Sequence, residues 1–195
     1  MKLQRWKRLY NSTSDLMEKT ELTERIKSAI VDVPDYPKKG IMFKDITGLF
    51  ASHQLFKDTM HALAAETVSK LGFKPDFVAG IEARGFIIGT ALADEIGVGF
   101  VPIRKAGKLP RDVVSESYDL EYGSASIELQ KDSMPEGSRV LIADDLLATG
   151  GTASAAEKLI KKQGSKPIGF AFIIVLSGFG SKDALKLPVF EMVEY

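Results

Sequence analysis

The chain has 195 residues, 45% of them hydrophobic, which suits a single domain that buries a full core. Its 26 basic and 26 acidic residues cancel, so no net charge draws it to nucleic acid or to anionic lipid. It has no cysteine, which excludes disulfides and thiolate metal sites and suits a reducing compartment such as the cytoplasm. No apolar run approaches the roughly 20 residues that cross a bilayer, so we expect small-molecule chemistry without nucleic acid or membrane partners.

Residues 1–20 differ in character from the rest of the chain. Four basic residues precede the first acidic one, Asp15, and the apolar residues among them could share one face of a helix. One interpretation is a targeting peptide. The other is a loosely docked extension, which the short length and the lack of a clear cleavage signal favour. We therefore predict a flexible extension over residues 1–20 and one domain over residues 21–195.

The first part of this domain is predicted to be helical, with one ordered loop. Apolar residues at helical spacing predict a helix from about residue 20 to the residue before Pro34. Residues 36–45 are rich in turn formers and predict an ordered surface loop. Ser52 can cap a long second helix that extends to about residue 71.

From Pro75 onward, strands and helices are expected to alternate. Short apolar runs predict strands at residues 77–81, 99–103, 140–143 and 168–176, and amphipathic segments predict helices at 86–96 and 153–162. This order predicts an α/β fold, a twisted and mostly parallel sheet with right-handed crossovers and helices on both faces.

The alternation is broken between Arg104 and Tyr122. These residues are mostly polar, include Gly and Pro, and carry charges of both signs. A structureless loop of that length inside a compact domain usually has a function, so we predict a long flexible lid. Polar and apolar residues alternate at 126–130, which predicts an antiparallel ribbon after the lid.

Two adjacent carboxylates, Asp144 and Asp145, follow the predicted strand at 140–143, and a glycine-rich turn follows them. Open α/β sheets bind ligands at this edge. Gly150 and Gly151 let backbone N–H groups approach an anion, and the next helix points its positive end to the same place. The carboxylates would repel a phosphate in their own pocket, so we expect them to accept hydrogen bonds from sugar hydroxyls or to meet a cation. The segment therefore predicts a site for a phosphorylated sugar.

A second anion site is predicted at the end of the strand at 77–81. Gly85 frees the backbone at a helix start, and Arg84 offers a rigid fork that suits pyrophosphate oxygens. The alternative is an arginine that pairs with a nearby carboxylate.

The predicted lid carries charged residues at both ends. Arg104, Lys105 and Lys108 at its hinge could neutralise a diphosphate when the lid closes, or form a solvated charge run when it is open. Glu121 lies beside an aromatic residue at the far end. A carboxyl group that loses solvation under a lid holds its proton more tightly, so Glu121 is a candidate general acid.

Three segments together resemble the adenine phosphoribosyltransferases, a branch of the type I phosphoribosyltransferases. They are Glu82-Ala-Arg-Gly-Phe, Arg104-Lys-Ala-Gly-Lys-Leu-Pro with Leu120-Glu-Tyr-Gly, and Asp144-Asp-Leu-Leu-Ala-Thr-Gly-Gly-Thr. The resemblance covers residues 23–195, and the second segment separates this branch from enzymes that act on other bases. It implies transfer of a phosphoribosyl group from phosphoribosyl diphosphate to adenine, giving AMP and pyrophosphate. It also implies Mg²⁺ held mainly by the substrate rather than directly by protein ligands, and a homodimer.

The resemblance further implies roles for individual residues. Those for the ribose and its 5′-phosphate are Asp144, Asp145, Ala148, Thr149, Gly150, Gly151 and Thr152. Those for the diphosphate are Ala83, Arg84, Gly85, Arg104, Lys105 and Lys108. Those for adenine are Met42, Phe43 and Lys44, in a small N-terminal hood, and Leu176. Those for catalysis are Glu121, Arg84 and Tyr122. Phe43 would stack on the base and Glu121 would handle its imidazole proton, while Lys44 departs from the arginine that most members carry.

Two other functions share parts of this pattern. A transcriptional regulator could sense phosphoribosyl diphosphate without consuming it, but it would need a DNA-binding element with a basic face, and this chain is neutral. A transferase for another purine would differ only in the hood and near Leu176.

Overall fold

The computed structural model describes residues 13–119 and 124–195, and its strands and helices alternate from Pro75 onward as predicted. The helices are α1 (Thr13–Ser28), α2 (Thr47–Ala51), α3 (His53–Leu71), α4 (Arg84–Ile96), α5 (Gly151–Lys162) and α6 (Ser181–Ala184), with a 3₁₀ turn at Ser177–Phe179. The strands are β1 (Val31–Pro34), β2 (Met42–Asp45), β3 (Phe77–Ile81), β4 (Gly99–Lys105), β5 (Val113–Asp119), β6 (Ser124–Gln130), β7 (Arg139–Leu147), β8 (Lys166–Val175) and β9 (Val189–Glu194).

Within the described residues, seven strands form one sheet in the order β5-β6-β4-β3-β7-β8-β9. The neighbouring pairs β4-β3, β3-β7, β7-β8 and β8-β9 are parallel. Strand β6 runs antiparallel to both β4 and β5. β1 and β2 form a separate antiparallel hairpin. The predicted α/β fold with a mostly parallel sheet is confirmed, and β3, β7 and β8 lie side by side, so their carboxyl ends meet at one edge.

Both faces of the sheet are covered by apolar side chains. On one face, Leu141 and Ala143 of β7 belong to the same buried cluster as residues of α1, α3 and α4. On the other, Val140 and Ile142 belong to a cluster with α5. Successive residues of a strand point to opposite faces, so a strand buried on both sides must be apolar at nearly every position. This explains why β7 is apolar up to the acid pair.

The hairpin corrects the prediction for the N-terminal part of the domain. Helix α1 ends at Ser28 instead of extending to the residue before Pro34. The last four residues of the loop predicted at 36–45 form strand β2. Val33 lies opposite Phe43 in the hairpin. β-branched residues pack well against cross-strand neighbours, and this pairing outweighs the helical spacing of the apolar residues.

The long loop predicted from Arg104 to Tyr122 is also partly wrong, because β5 occupies much of it. Val114 and Tyr118 pack against the core beneath α5, and Glu116 between them pairs with Lys158 and Lys162. The charged Glu116 between these two core residues hid the alternation in the sequence. The ribbon predicted at 126–130 is present as β6, while residues 120–123 of the predicted lid lie outside the described part of the chain.

The first and third helices and the last strand also differ in detail from the sequence pattern. Residues 13–20, assigned to the extension, lie in α1, and Lys19 Nζ is 2.7 Å from Glu66 Oε2. The division into extension and domain stays a prediction. Ser52 occupies the N-cap position of α3, but its side chain makes no capping hydrogen bond. Strand β9 had no sequence prediction. None of the helices in the described ranges is long and apolar enough to cross a membrane.

Candidate active site

A cavity of about 120 Å³ lies at the carboxyl end of β7. Its walls are formed by Ile81, Asp144, Leu146, Leu147, Ala148, Thr149, Gly150, Gly151, Thr152, Ala153 and Phe172. All the residues predicted for the ribose and 5′-phosphate line it except Asp145. The end of β7, the glycine turn and the first turn of α5 therefore enclose one space.

The glycine turn is shaped for an anion. Gly150 has φ of 84°, in the left-handed region that other residues rarely adopt, and it leads directly into α5. The first N–H groups of a helix have no partner within the helix, and they carry its partial positive charge. The N–H groups of Gly151, Thr152 and Ala153 thus lie at the wall of the cavity, where a phosphate would find several donors.

The acid pair lies within β7, not after it, because the strand continues to Leu147. Asp144 pairs with Phe172 of β8 in the sheet. Strand alternation sends the two carboxylates to opposite faces. Asp144 lines the cavity with the glycine turn, whereas Asp145 is 5% exposed and reaches Arg84. The pair therefore offers acceptors in two directions from one point of the sheet edge.

Burial raises the pKa of both acids. The pKa of Asp144 is raised well above its usual value, chiefly by loss of water and then by the neighbouring charge of Asp145. Burial also raises the pKa of Asp145, and the Arg84 guanidinium opposes that rise. The backbone N–H of Asp145 donates to Asp144 Oδ1 at 2.9 Å. A bound group that donates hydrogen bonds or carries positive charge would relieve the cost of both buried charges.

Asp145 Oδ2 is a buried acceptor without a hydrogen bond among the described residues. Arg84 Nη2 lies 2.9 Å away, but the contact lacks the alignment of a hydrogen bond and is an ion pair only. A buried polar atom with no partner at all costs about 1–3 kcal/mol, and the ion pair with Arg84 offsets part of that cost here. A ligand hydroxyl that donated to this oxygen would offset the remainder.

Arg84 connects the acid pair to the hood. It is the first residue of α4, and its guanidinium carbon is 4.8 Å from the centre of the Phe43 ring. The sequence also allowed Arg84 to pair with a nearby carboxylate, and its ion pair with Asp145 is such a contact. Ala83 is exposed just before the helix and follows a cis peptide bond with Glu82.

Gly85 allows the start of α4 to lie against the end of β7. A Cβ atom at this position would be 2.8 Å from both Ala143 O and Asp144 Oδ1. Those distances are shorter than side-chain carbons tolerate. Glycine is therefore required here for the predicted diphosphate segment and the acid pair to share one site.

The basic residues after β4 differ in their surroundings. Arg104 Nε is 3.3 Å from Glu82 Oε2, and its Nη1 donates to Lys108 O at 3.0 Å. The backbone N–H of Lys105 also donates to Glu82 at 3.0 Å, and this bond, followed by Arg104, lowers the pKa of Glu82. The side chains of Lys105 and Lys108 are exposed.

Glu82 is a site residue that the sequence reasoning did not use. Ile81 of β3 lies beside Ile103 of β4, so the next residues, Glu82 and Arg104, follow at the same edge. Parallel pairing of β3 with β4 is the signal from which the contact between Glu82 and Arg104 could have been predicted.

The hood is the β1–β2 hairpin, and its side chains point in two directions. Phe43 is half-buried, faces Arg84 and meets Tyr36 in an edge contact of 5.1 Å between ring centres. Lys44 is buried at 9% exposure, and Met42 is exposed. Leu176 is half-buried after β8, and its N–H donates to Leu147 O at 2.9 Å. Phe43 is thus linked to Asp145 through Arg84, and Leu176 lies beside the end of β7.

The two remaining catalytic predictions, Glu121 and Tyr122, lie outside the described residues, so their roles stay predictions. Across residues 13–119 and 124–195, no three acidic or histidine side chains converge as a metal-ion cluster. His53 and His61 are exposed on α3, and His61 Nδ1 is 2.8 Å from Glu95.

Comparison with known proteins gives consistent matches over most of the chain. The phosphoribosyl transferase domain family matches residues 48–189. An adenine phosphoribosyltransferase of Trichodesmium erythraeum is 50% identical over 171 residues, which are 87% of this chain and 99% of that protein. One from Francisella tularensis subsp. novicida is 52% identical over 160 residues, 82% of this chain and 91% of that protein.

Solved structures agree with these sequence matches. The adenine phosphoribosyltransferase of Saccharomyces cerevisiae, in complex with an imino-altritol bisphosphate and adenine, has a TM-score of 0.86 and 36% identity. The match covers 89% of this chain and 99% of the yeast chain. The enzyme of Rhodothermus marinus has a TM-score of 0.84 and 42% identity, covering 90% and 99% of the two chains.

Proposed function

The chain belongs to the adenine phosphoribosyltransferase family, and we propose that it transfers the phosphoribosyl group of phosphoribosyl diphosphate to adenine. The bond from the anomeric carbon to the diphosphate oxygen breaks, and a bond to an imidazole nitrogen of adenine forms. That nitrogen loses its proton, and the products are AMP and pyrophosphate. The observation that carries the proposal is a cavity bounded by Asp144 and the glycine turn, beside which Asp145 pairs with Arg84 and Arg84 contacts Phe43 of the hood.

The sugar end of the substrate is assigned to β7 and α5. The 5′-phosphate accepts hydrogen bonds from the backbone of residues 148–152, which line the cavity. The ribose hydroxyls donate to Asp144 and Asp145, whose buried carboxylates lack enough donors of their own. As the anomeric carbon becomes oxocarbenium-like, these negative charges also favour its developing positive charge.

The diphosphate end is assigned to the loops after β3 and β4. Arg84 exchanges its ion pair with Asp145 for the diphosphate, and Ala83 and Gly85 offer backbone groups beside it. Arg104, Lys105 and Lys108 add positive charge at the mouth of the site, where Lys105 and Lys108 are exposed. These cations stabilise the charge that pyrophosphate gains as it leaves.

The base is assigned to the hood. Adenine stacks on Phe43, whose ring already lies against a guanidinium, and Leu176 closes the opposite side. Backbone groups of Met42 and Lys44 read the amine edge of the base. Adenine presents an amine donor beside a ring acceptor, whereas hypoxanthine presents a carbonyl acceptor beside an N–H donor. The same backbone groups therefore pair with only one of the two.

Proton transfer is assigned to Glu121, and Tyr122 helps to close the site; both assignments depend on the sequence resemblance. A carboxyl group that is shielded from water in the occupied site would take up the imidazole proton as the new bond forms.

Mg²⁺ is the proposed cofactor, and the residues at the end of β7 fit it. Carboxylate oxygens are the ligands that Mg²⁺ prefers, and Asp145 Oδ2 is an unsatisfied acceptor close to the cavity. With the substrate supplying most of the ligands, Asp144 and Asp145 would hold the ion through its water molecules. When bound, Mg²⁺ neutralises charge on the diphosphate.

A homodimer and a cytoplasmic location complete the proposal, and both depend on the resemblance. The chain has no cysteine, which is compatible with a reducing compartment. Light scattering on the purified protein tests the dimer, and microscopy of a fluorescent fusion tests the location.

The decisive experiment compares adenine, hypoxanthine and guanine as acceptors, each with phosphoribosyl diphosphate and with or without Mg²⁺. We expect turnover with adenine and at least about 10³-fold lower kcat/KM with the other two bases, because a mismatch leaves buried polar groups unpaired. Comparable use of hypoxanthine would overturn the adenine assignment and leave phosphoribosyl transfer intact. Tight binding of phosphoribosyl diphosphate without turnover of any purine would favour a sensor.

A further inference from the structure

The Lys44 side chain lies on the opposite face of β2 from the Phe43 ring, because neighbouring strand residues alternate. Its Nζ is 2.6 Å from Asp32 Oδ1, and Asp32 is the residue directly opposite it in the hairpin. The same Nζ lies 3.8 Å from the centre of the Tyr195 ring. With only 10% of the side chain exposed, the ammonium has exchanged most of its water for a carboxylate and an aromatic face.

Tyr195 is fixed by the large sheet. Its backbone N–H donates to Val175 O at 3.0 Å, and its carbonyl accepts from the N–H of Ser177 at 2.8 Å. Leu176, the predicted base contact, lies between those two residues. The pKa of Tyr195 is raised, first by burial and then by the carboxylates of Asp32 and Glu24, so the neutral ring keeps an electron-rich face. The Tyr195 backbone is therefore anchored to the sheet at the base end of the site, and its ring, in a residue that is 40% exposed, faces Lys44.

The hairpin depends on such side-chain contacts for its position. Within the described residues, β1 and β2 pair with each other and not with the seven-stranded sheet. Over residues 13–119 and 124–195, no backbone ladder fixes the distance from Met42 and Lys44 to the end of β8. A displacement of about 1 Å in a binding group is enough to lower catalysis severely.

We propose that Lys44, through Asp32 and Tyr195, is a positioning residue for adenine that fastens the hood to the sheet beside Leu176. This inference rests on the proposed function, because it gives the Lys44 side chain a part in base recognition while leaving it out of contact with the base. The Lys44 side chain thus fixes the place at which the Lys44 backbone binds adenine.

Arginine and methionine test this role separately. Lys44→Arg keeps the positive charge and can still pair with a carboxylate and stack on a ring. Lys44→Met keeps an unbranched apolar stem but removes the charge. Lys70→Met is the matched control, because it removes a lysine that pairs with buried Glu66 on α3, away from the hood.

We expect the KM for adenine to rise and the KM for phosphoribosyl diphosphate to stay nearly unchanged. Removing a desolvated cation–π contact and its ion pair should raise the adenine KM of Lys44→Met by about tenfold. The KM for phosphoribosyl diphosphate and kcat should stay within about twofold, since the acid pair and glycine turn are untouched. Lys44→Arg should return the adenine KM to within about threefold of wild type, and Lys70→Met should match wild type.

Tyr195 supplies a second pair of variants. Tyr195→Phe keeps the ring face and should behave as wild type, whereas Tyr195→Ala should reproduce the adenine defect of Lys44→Met. An unchanged adenine KM in Lys44→Met, or an equal rise in both KM values, would overturn the inference.

Amide hydrogen exchange tests the same contact without turnover. In Lys44→Met, the amides of β1 and β2 should exchange faster while those of β3 and β7 keep their protection. Equal protection of the hairpin in the variant and the wild type would overturn the inference. A wild-type protein that does not convert adenine would instead refute the proposed function, and the exchange result would still decide whether Lys44 fastens the hairpin.

Discussion

Replacing Asp145 with Asn is the sharpest perturbation of the sugar site, because the change keeps the shape and removes the charge. The carboxylate is 5% exposed, and its Oδ2 lies 2.9 Å from Arg84 Nη2. In the proposed complex, the same oxygen accepts a ribose hydroxyl. The amide has one acceptor oxygen where the carboxylate has two, and it loses the attraction to the guanidinium.

The size of the effect follows from burial. A hydrogen bond to a charged group contributes about 1.5–3 kcal/mol, and the low exposure of Asp145 places this one in that range. We therefore expect kcat/KM for phosphoribosyl diphosphate to fall by roughly 10-fold to 100-fold or more. The ion pair adds little to the free energy of unfolding, because the Arg84 side chain is 36% exposed and water can solvate it.

Steady-state kinetics at saturating adenine measure this change, and Asp76→Asn is the matched control. Asp76 pairs with Arg139 at 2.7 Å at the opposite end of β7, and both side chains are about 40% exposed. That variant should keep kcat/KM within about twofold of wild type. Wild-type kinetics in Asp145→Asn would refute the role of this carboxylate in ribose binding.

The remaining predictions concern the lid, the second acid and the helix start. Glu121→Gln should lower kcat by roughly 10²-fold with smaller changes in either KM, as expected for a proton-transfer group; a rise in KM at normal kcat would make it a binding residue. Asp144→Asn should raise Tm near neutral pH, because burial raises the pKa of Asp144 above 3.8 and makes its charged form costly in the folded state. The folded protein takes up this proton as the pH falls, so the difference in Tm should shrink towards about pH 4, and a constant difference would refute the cause. Gly85→Ala should lower kcat/KM for phosphoribosyl diphosphate by about tenfold or more, since its methyl would lie 2.8 Å from Asp144 Oδ1. Gly178→Ala, whose methyl meets open space, should not, and equal kinetics of the two variants would contradict the close-approach argument.

The sequence was sufficient for the parts of the site that adjacent residues build. An apolar strand, two acids, a glycine turn and a helix follow one another at β7 and α5, so local pattern and final geometry coincide. The position of Gly85 against the acid pair was harder to predict from the sequence. It depends on β3 and β7 lying side by side, which a pattern within one segment does not encode.

The hood was the part least visible in the sequence. The apolar spacing of Ile30 and Val33 continues a helical pattern, and only the pairing with β2 makes this segment a strand. The burial of Lys44 depends on Tyr195, which is far away in the chain and lies in a strand region that had no prediction. Contacts made by single side chains across the fold leave no periodic signal.

The order of strands at the site edge has a consequence for inhibitor design. Neighbouring strands are about 4.8 Å apart, so the ends of β3, β7 and β8 span roughly 10 Å. In the proposed complex, the diphosphate, sugar and base sites are thus neighbours at this edge. A compound that joins an adenine analogue to a sugar bisphosphate mimic through a short linker would occupy all three. Its second half would bind at the high effective concentration that a short tether provides, and its affinity would exceed that of either fragment by about 10²-fold or more.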